Sequence, residues 1–188
     1  KETSLPYVST DNYMGASMAT NFLIENGHRN IACIQGTPTT MPVIKRVSGY
    51  KESMINHKLD QFITVVGNSF SIENGYIETK LLLQKTDRPS AIFTLSNTIA
   101  LGAYRAIKEN NLKIPDDISI ICFDNHLYLD YIEPAVTRIA QPINEISTMA
   151  TQILIEAMND KDEKKEIKIT QILLPPTLVQ GNSVSKLN

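Results

Sequence analysis

The chain has 188 residues, a formal net charge of −2, and 42 % hydrophobic against 20 % charged residues. That is the composition of a globular chain, long enough for one large domain or one domain with a small appendage. No apolar run approaches the roughly 18 residues of a membrane helix, and no basic cluster stands out: Lys161, Lys164, Lys165 and Lys168 alternate with Asp160, Asp162, Glu163 and Glu166, a solvated mixed-charge turn that argues against nucleic-acid binding by this chain alone.

Pro6 to Ser9 forms a brief extended piece, and Thr10, Asp11 and Asn12 offer helix caps. Met14, Met18 and Phe22, with Ala19 and Leu23 beside them, predict one apolar helical face that ends at Gly27. Ile31 to Ile34 is a strand-length apolar run closed by Gly36. Pro42 fits a first helical position, and Val43, Val47, Tyr50 and Met54 trace the next helical face. Phe62 to Val66 predicts a strand. Ser71 caps a helix running to about Gln84, with Ile72, Tyr76 and Leu81 to Leu83 inside. Ala91 to Leu95 is a strand that stops at Ser96-Asn97, followed by a helix with Ile99, Ala100, Ala103 and Ile107 inward.

The apolar run Ile118 to Phe123 stops abruptly at Asp124-Asn125. A tyrosine-rich link, Leu127 to Ile132, leads to a second short run, Val136 to Ala140, which ends at Gln141-Pro142. The spacing of Ile143, Ile146, Met149, Ala150, Ile153, Leu154 and Ala157 predicts an amphipathic helix. A strand over Ile167 to Leu174 and a short extended tail at Leu178-Val179 close the pattern. Strands and helices alternate through short links, the signature of βαβ units on a parallel sheet.

Cys33 and Cys122 each sit inside an apolar run and read as small core residues. There is no CxxC pair, no ligand spacing for a metal, and none of the glycine-rich, zinc-protease or serine-hydrolase motifs. No metal or cofactor is expected. His28 reads as a turn residue and His57 as a helix-end residue. His126 is the one histidine near a carboxylate at a strand end, and a catalytic Asp124–His126 pair stands against a plain loop. Ser96-Asn97 and Asp124-Asn125 end consecutive strands, where open α/β sheets bind ligands. Their amide and carboxylate groups suit sugar hydroxyls or a base edge, and helix or turn capping is the alternative. Arg46 reads equally as a surface arginine, and Phe70, in a polar loop, as a stacking ring or a lid on the local core.

Four stretches carry a resemblance: STDNYMGASMATNFLIENGHRNIACIQG, KRVSGYKESM, RPSAIFTLSNTIALGAYRAIKENNLKIPDDISIICFDN and IEPAVTRIAQP. From Val8 to about Val184 the chain resembles the effector-binding domain of the LacI/purine-repressor family of bacterial transcription regulators. The resemblance implies a Rossmann-like parallel sheet flanked by helices, of periplasmic-binding-protein-like type I, mostly its C-terminal lobe. It implies that residues 1–11 end the N-terminal lobe and that residues 12–140 form the C-terminal effector-binding lobe. Residues 141–166 would cross toward the N-terminal lobe, and residues 167–188 would return to the C-terminal lobe and tail. Opening in mid-pattern and without a leading Met, the chain is expected to be a fragment of a longer protein.

The same resemblance implies a small-molecule effector, a sugar, held by Arg46 and Asp124, with Phe70 stacking and Asn97, Ser96 and Gln141 on the cleft. The family often has Asn-Asp where this chain has Ser96-Asn97, and Pro42 replaces a hydroxyl residue of some members. Tyr128, Tyr131 and Ile132 match a homodimer surface, with loop packing as their alternative. The whole protein is then expected to be a cytoplasmic repressor, not an enzyme, that reaches operator DNA through a helix-turn-helix outside these residues. A periplasmic sugar-binding protein and, more remotely, a Rossmann-type enzyme are the other classes.

Overall fold

The computed structural model describes residues 5–159 and 171–187. Among these residues, eight strands and five α-helices follow in the order β1 (Tyr7–Thr10), α1 (Asn12–Glu25), β2 (Ile31–Ile34), α2 (Met41–Asn56), β3 (Thr64–Val66), α3 (Ile72–Leu83), β4 (Ala91–Thr94), α4 (Asn97–Glu109), β5 (Ser119–Phe123), β6 (Thr137–Ala140), α5 (Ile143–Asn159), β7 (Gln171–Leu174) and β8 (Thr177–Val179). The main sheet has the order β3-β2-β4-β5-β6-β8. Five strands run parallel, and β8 closes one edge antiparallel to β6. The α/β parallel architecture expected from the sequence is the one observed.

β2, β4 and β5 are buried along their whole length, as strands covered on both faces must be. Successive side chains therefore divide between two cores. Ile31, Cys33, Phe93, Ile121 and Phe123 point into a core built with Leu23 of α1 and Tyr50 and Met54 of α2. Ala32, Ile34, Ile92 and Ile120 point the other way, onto Leu82 of α3 and Ile99, Ala103 and Ile107 of α4. Cys33 and Cys122 are fully buried free thiols, and burial pushes both up and away from the reactive thiolate.

Caps fix where the helices begin. Asp11 accepts from the Met14 N–H at 2.8 Å and Ser71 from the Asn74 N–H at 3.0 Å, each satisfying a donor that the first turn leaves free. α2 starts with Pro42 in its first turn, and its predicted residues Val43, Tyr50 and Met54 are buried. All four inward positions named for α4 are buried as well.

Other elements differ from the sequence expectation. α1 buries Ala16, Ala19, Leu23 and Ile24, with Met18 and Phe22 packed at the edge of the core, whereas Met14 is 42 % exposed; the small residues let α1 lie close to α2, so the stripe is turned away from Met14. α3 buries Asn74, Gly75, Thr79 and Leu82 and leaves Ile72 and Leu81 outside. The expected strand from Phe62 shortens to Thr64–Val66, because Asp60–Phe62 form a 3-10 turn closed by Phe62 N–H onto the Leu59 carbonyl. His28 is not an open turn residue: it is buried, with its Nδ1 2.9 Å from the Ser90 hydroxyl.

β7 does not join the main sheet. It pairs in parallel with β1, Tyr7 opposite Gln171 and Thr10 opposite Leu174, as a separate two-stranded sheet. After β7 the chain rejoins the main sheet at β8. α5 packs on β1 and buries none of its residues; Ile143, Leu154, Ile155 and Met158 are between 52 and 74 % exposed. The mixed-charge turn 160–166 and the first part of the strand expected from Ile167 lie outside the described residues.

Candidate functional site

The strand order reverses between β2 and β4, whose outgoing chains go to opposite sides of the sheet, and crevices in such sheets open at the carboxyl ends beside this point. Asp124 leaves β5 at that rim. Its φ of +84° lies in the left-handed region, costly for a residue with a side chain, and its N–H is held by the Ile139 carbonyl at 3.0 Å.

The carboxylate closes a ring of polar contacts. Gln141, just past β6, donates its amide to Asp124 Oδ1 and accepts from the Thr10 hydroxyl at 2.7 Å. Asn12 donates to the Thr10 carbonyl at 2.9 Å and accepts from Arg46 Nε at 2.8 Å. Arg46 Nη2 returns to Asp124 Oδ1 at 3.8 Å. Arg46 also donates to the Leu95 carbonyl at 2.6 Å, and its guanidinium lies 3.6 Å over the Phe123 ring. The arginine is therefore no surface residue: 5 % of it is exposed. Burial pulls its pKa down to about 10, against the opposing pull of Asp124, so it remains a cation at neutral pH. Asp124 keeps 26 % of its side chain open. A fixed cation, a partly open carboxylate and two amides converge here, a donor–acceptor set suited to a polyhydroxylated ligand.

The other predicted residues occupy the same rim without entering this ring. Ser96 takes the capping alternative: it is buried and accepts from the Ile99 N–H at 3.2 Å. Asn97 opens α4, and its carbonyl accepts from the Tyr128 hydroxyl at 2.7 Å. Phe70 is 38 % exposed, its carbonyl held by the Thr98 hydroxyl at 2.6 Å. Its ring lies against Gly36, where an added Cβ would stand 2.4 Å from ring carbons. A cavity of about 550 Å³ opens next to the ring of contacts, lined by Tyr7, Ser9, Thr10, Asn12, Met41 and Lys45 among others.

His126 does not pair with Asp124. Its ring rests tilted on Tyr128, with centroids 4.7 Å apart. Tyr128 and Ile132 pack against a small core of Ala100, Cys122, Leu129 and Val136, whereas Tyr131 is 78 % exposed. Loop packing thus describes Tyr128 and Ile132, and Tyr131 is the open aromatic of this segment. Among the described residues no cluster of His, Cys, Asp or Glu is placed to hold a metal, and no helix is long and apolar enough to cross a membrane.

Sequence reasoning passed over Thr10, Asn12 and Phe123. Thr10 and Asn12 stood as helix caps beside Asp11, and nothing local shows that Asp11 alone caps and frees Asn12 for Arg46. Phe123 ends an apolar run like any core residue, and only the fold lays Arg46 over its ring.

A profile of the periplasmic binding protein-like domain matches residues 20–184. The chain is 33 % identical over 176 residues to the HTH-type transcriptional repressor PurR of Vibrio atlanticus, covering 93 % of this chain and 51 % of that protein. It is 33 % identical over 175 residues to the ribose operon repressor of Haemophilus influenzae, covering 93 % and 52 %. The chain spans about half the length of the curated relatives it matches. Among solved structures, a LacI family transcriptional regulator from Enterococcus faecium with bound ribose is similar at a TM-score of 0.89 and 28 % identity, covering all of this chain and 68 % of that one.

Proposed function

Since the chain belongs to the periplasmic binding protein-like domain family, and its relatives are LacI-type repressors, we propose that it senses a small metabolite for a transcription regulator. The ligand of this reading is a sugar, with a ribose-like pentose the first candidate because similar proteins carry ribose in their names. The observation that carries it is the ring Thr10–Gln141–Asp124–Arg46–Asn12, which holds a buried cation and a partly open carboxylate at the strand ends.

In this reading Asp124 accepts hydroxyl hydrogen bonds, Arg46 donates to ring or hydroxyl oxygens, Asn97 does either, Gln141 reports across the crossing, and Phe70 stacks. Ser96 shapes the rim through its cap. Residues 1–11 and 141–166 belong with a second lobe, which covers the apolar residues of α5, and ligand shifts the balance between open and closed lobes. Operator DNA is met by a helix-turn-helix supplied outside these residues, in a cytoplasmic homodimer joined in part through Tyr131. The chemistry is binding without turnover.

Calorimetry of the full-length protein with D-ribose, other pentoses, hexoses and purines tests the reading. Asp124→Ala and Arg46→Ala are each expected to weaken the bound sugar about 30-fold or more, because each strands a charge-assisted partner. Unchanged affinity in both variants overturns the site assignment.

A further inference from the structure

Arg138 is a buried cation that the ring of contacts does not use. It sits on β6 with 5 % of its side chain exposed, in register with Cys122 of β5. A buried guanidinium is costly unless its donors are met, and a threonine or valine would fill the strand position without that cost. Among the described residues, its side-chain hydrogen bonds and ion pair go to the segment that joins β5 to β6. Nε donates to Asn125 Oδ1 at 2.6 Å, Nη1 to the Val136 carbonyl at 3.2 Å, and Nη2 meets Asp130 Oδ1 at 2.8 Å. The planar fork thus ties the first residue after Asp124 to the 3-10 turn Leu127–Asp130 and to Val136 just before β6.

The position of this clamp matters because of its neighbour. Asp124 holds φ +84°, a conformation that persists only where the surroundings over-determine it. Backbone pairing fixes one side of Asp124, through its N–H and the Ile139 carbonyl. On the other side the chain turns away at Asn125, whose side chain is exposed but for its bond to Arg138. Without the clamp the turn can relax toward negative φ, which would swing the carboxylate away from Arg46 and Gln141.

We propose that Arg138 is a positioning residue for the effector site, clamping Asn125 and Asp130 so that the strained Asp124 backbone aims its carboxylate at the ligand. The proposal rests on the effector reading of Asp124, and its test has one arm that needs no ligand. In the ligand-free full-length protein, Arg138→Met and Asn125→Ala each speed hydrogen exchange of the Asp124 amide about tenfold, the weight of one charged hydrogen bond, with α1 and α2 amides unchanged. Where D-ribose binds the parent protein, both variants weaken it about tenfold, and the double variant is no weaker than the worse single one, because they remove the same contact. Arg138→Lys, which can reach Asn125 or Asp130 but not both, falls between. Asn125 is on the surface, so Asn125→Ala tests the clamp even if Arg138→Met fails to fold. An Asp124 amide that exchanges at the parent rate in Asn125→Ala overturns the proposal, as does loosening spread equally over α1 and α2, or unchanged ribose affinity in both variants. A parent protein that binds no sugar overturns the sugar reading instead, and the exchange arm still decides the clamp.

Discussion

At the scale of single residues, Tyr128 shows how a side chain near the site can serve the scaffold. Its hydroxyl donates to the Asn97 carbonyl at 2.7 Å and so joins the segment after β5 to the start of α4. Burial, then the neighbouring Cys122 and Asp124, push its pKa up to about 12 from 10.0. A folded-state pKa above the unfolded one means that its stabilisation is complete below about pH 10 and is lost as pH climbs toward about 12. Tyr128→Phe is therefore expected to be less stable than the parent at pH 8, by about 1 kcal/mol once solvent screening of this half-buried group is allowed for. The gap should close by about pH 11.5, and urea unfolding of both proteins at the two pH values measures it. A gap that widens with pH would show that the phenol does not act as the donor. Arg46 is the opposite lesson. Its type and spacing are visible in the sequence, but its burial, its seat over Phe123 and its bond to Asn12 come from chain segments 34 and 77 positions away, and no local pattern encodes them.

Among the elements, the α3–α4 pair is held closest. An added Cβ on Gly75 would stand 2.1 Å from the Ile99 carbonyl oxygen, and one on Gly102 would stand 1.9 Å from that of Ile72. Both obstacles are backbone, so the helices themselves would have to separate. Gly75→Ala and Gly102→Ala are each expected to cost about 1–3 kcal/mol, outweighing the gain in helix propensity. A lowered urea midpoint at unchanged slope checks this; a midpoint that stays or rises would mean that the crossing is loose. The same contact explains why the face predicted for α3 holds at Leu82 and Leu83 but fails at Ile72 and Leu81. Counting large apolar residues at helical spacing selects Ile72 and Leu81 along with Leu82, but where α4 crosses, the inward face is made of the small or polar residues Asn74, Gly75 and Thr79. α1 repeats this with Ala16 and Ala19. α4 was legible because its inward face is both apolar and continuous, from Ile99 to Ile107.

For the whole molecule, two surfaces remain to be covered. One is α5, with Leu154, Ile155 and Met158 exposed on a helix that packs on β1; exposed apolar side chains grouped on one element mark a contact, which the proposed function assigns to a second lobe. The other is the open face around Tyr131 and Leu127, 78 % and 70 % exposed. If it is the dimer contact, Tyr131→Asp in the full-length protein buries a carboxylate against its own copy and should shift sedimentation from dimer to monomer at micromolar concentration. A dimer unchanged by the substitution would place the interface elsewhere.

The sequence by itself determined the alternation of strands and helices, the parallel sheet, the family, and the strand end where Asp124 stands. The alternation, the sheet and the strand end follow from periodicity, caps and turn residues, which act over a few positions; the family follows from the resemblance of four stretches. Tertiary structure alone decided which stripe of α1 and α3 faces inward, that β7 leaves the main sheet for β1, and that Arg46, Asp124, Gln141, Asn12 and Thr10 close one ring. Each of these depends on backbone approach and hydrogen bonds between segments tens of residues apart, and such contacts leave no repeat or spacing in the chain.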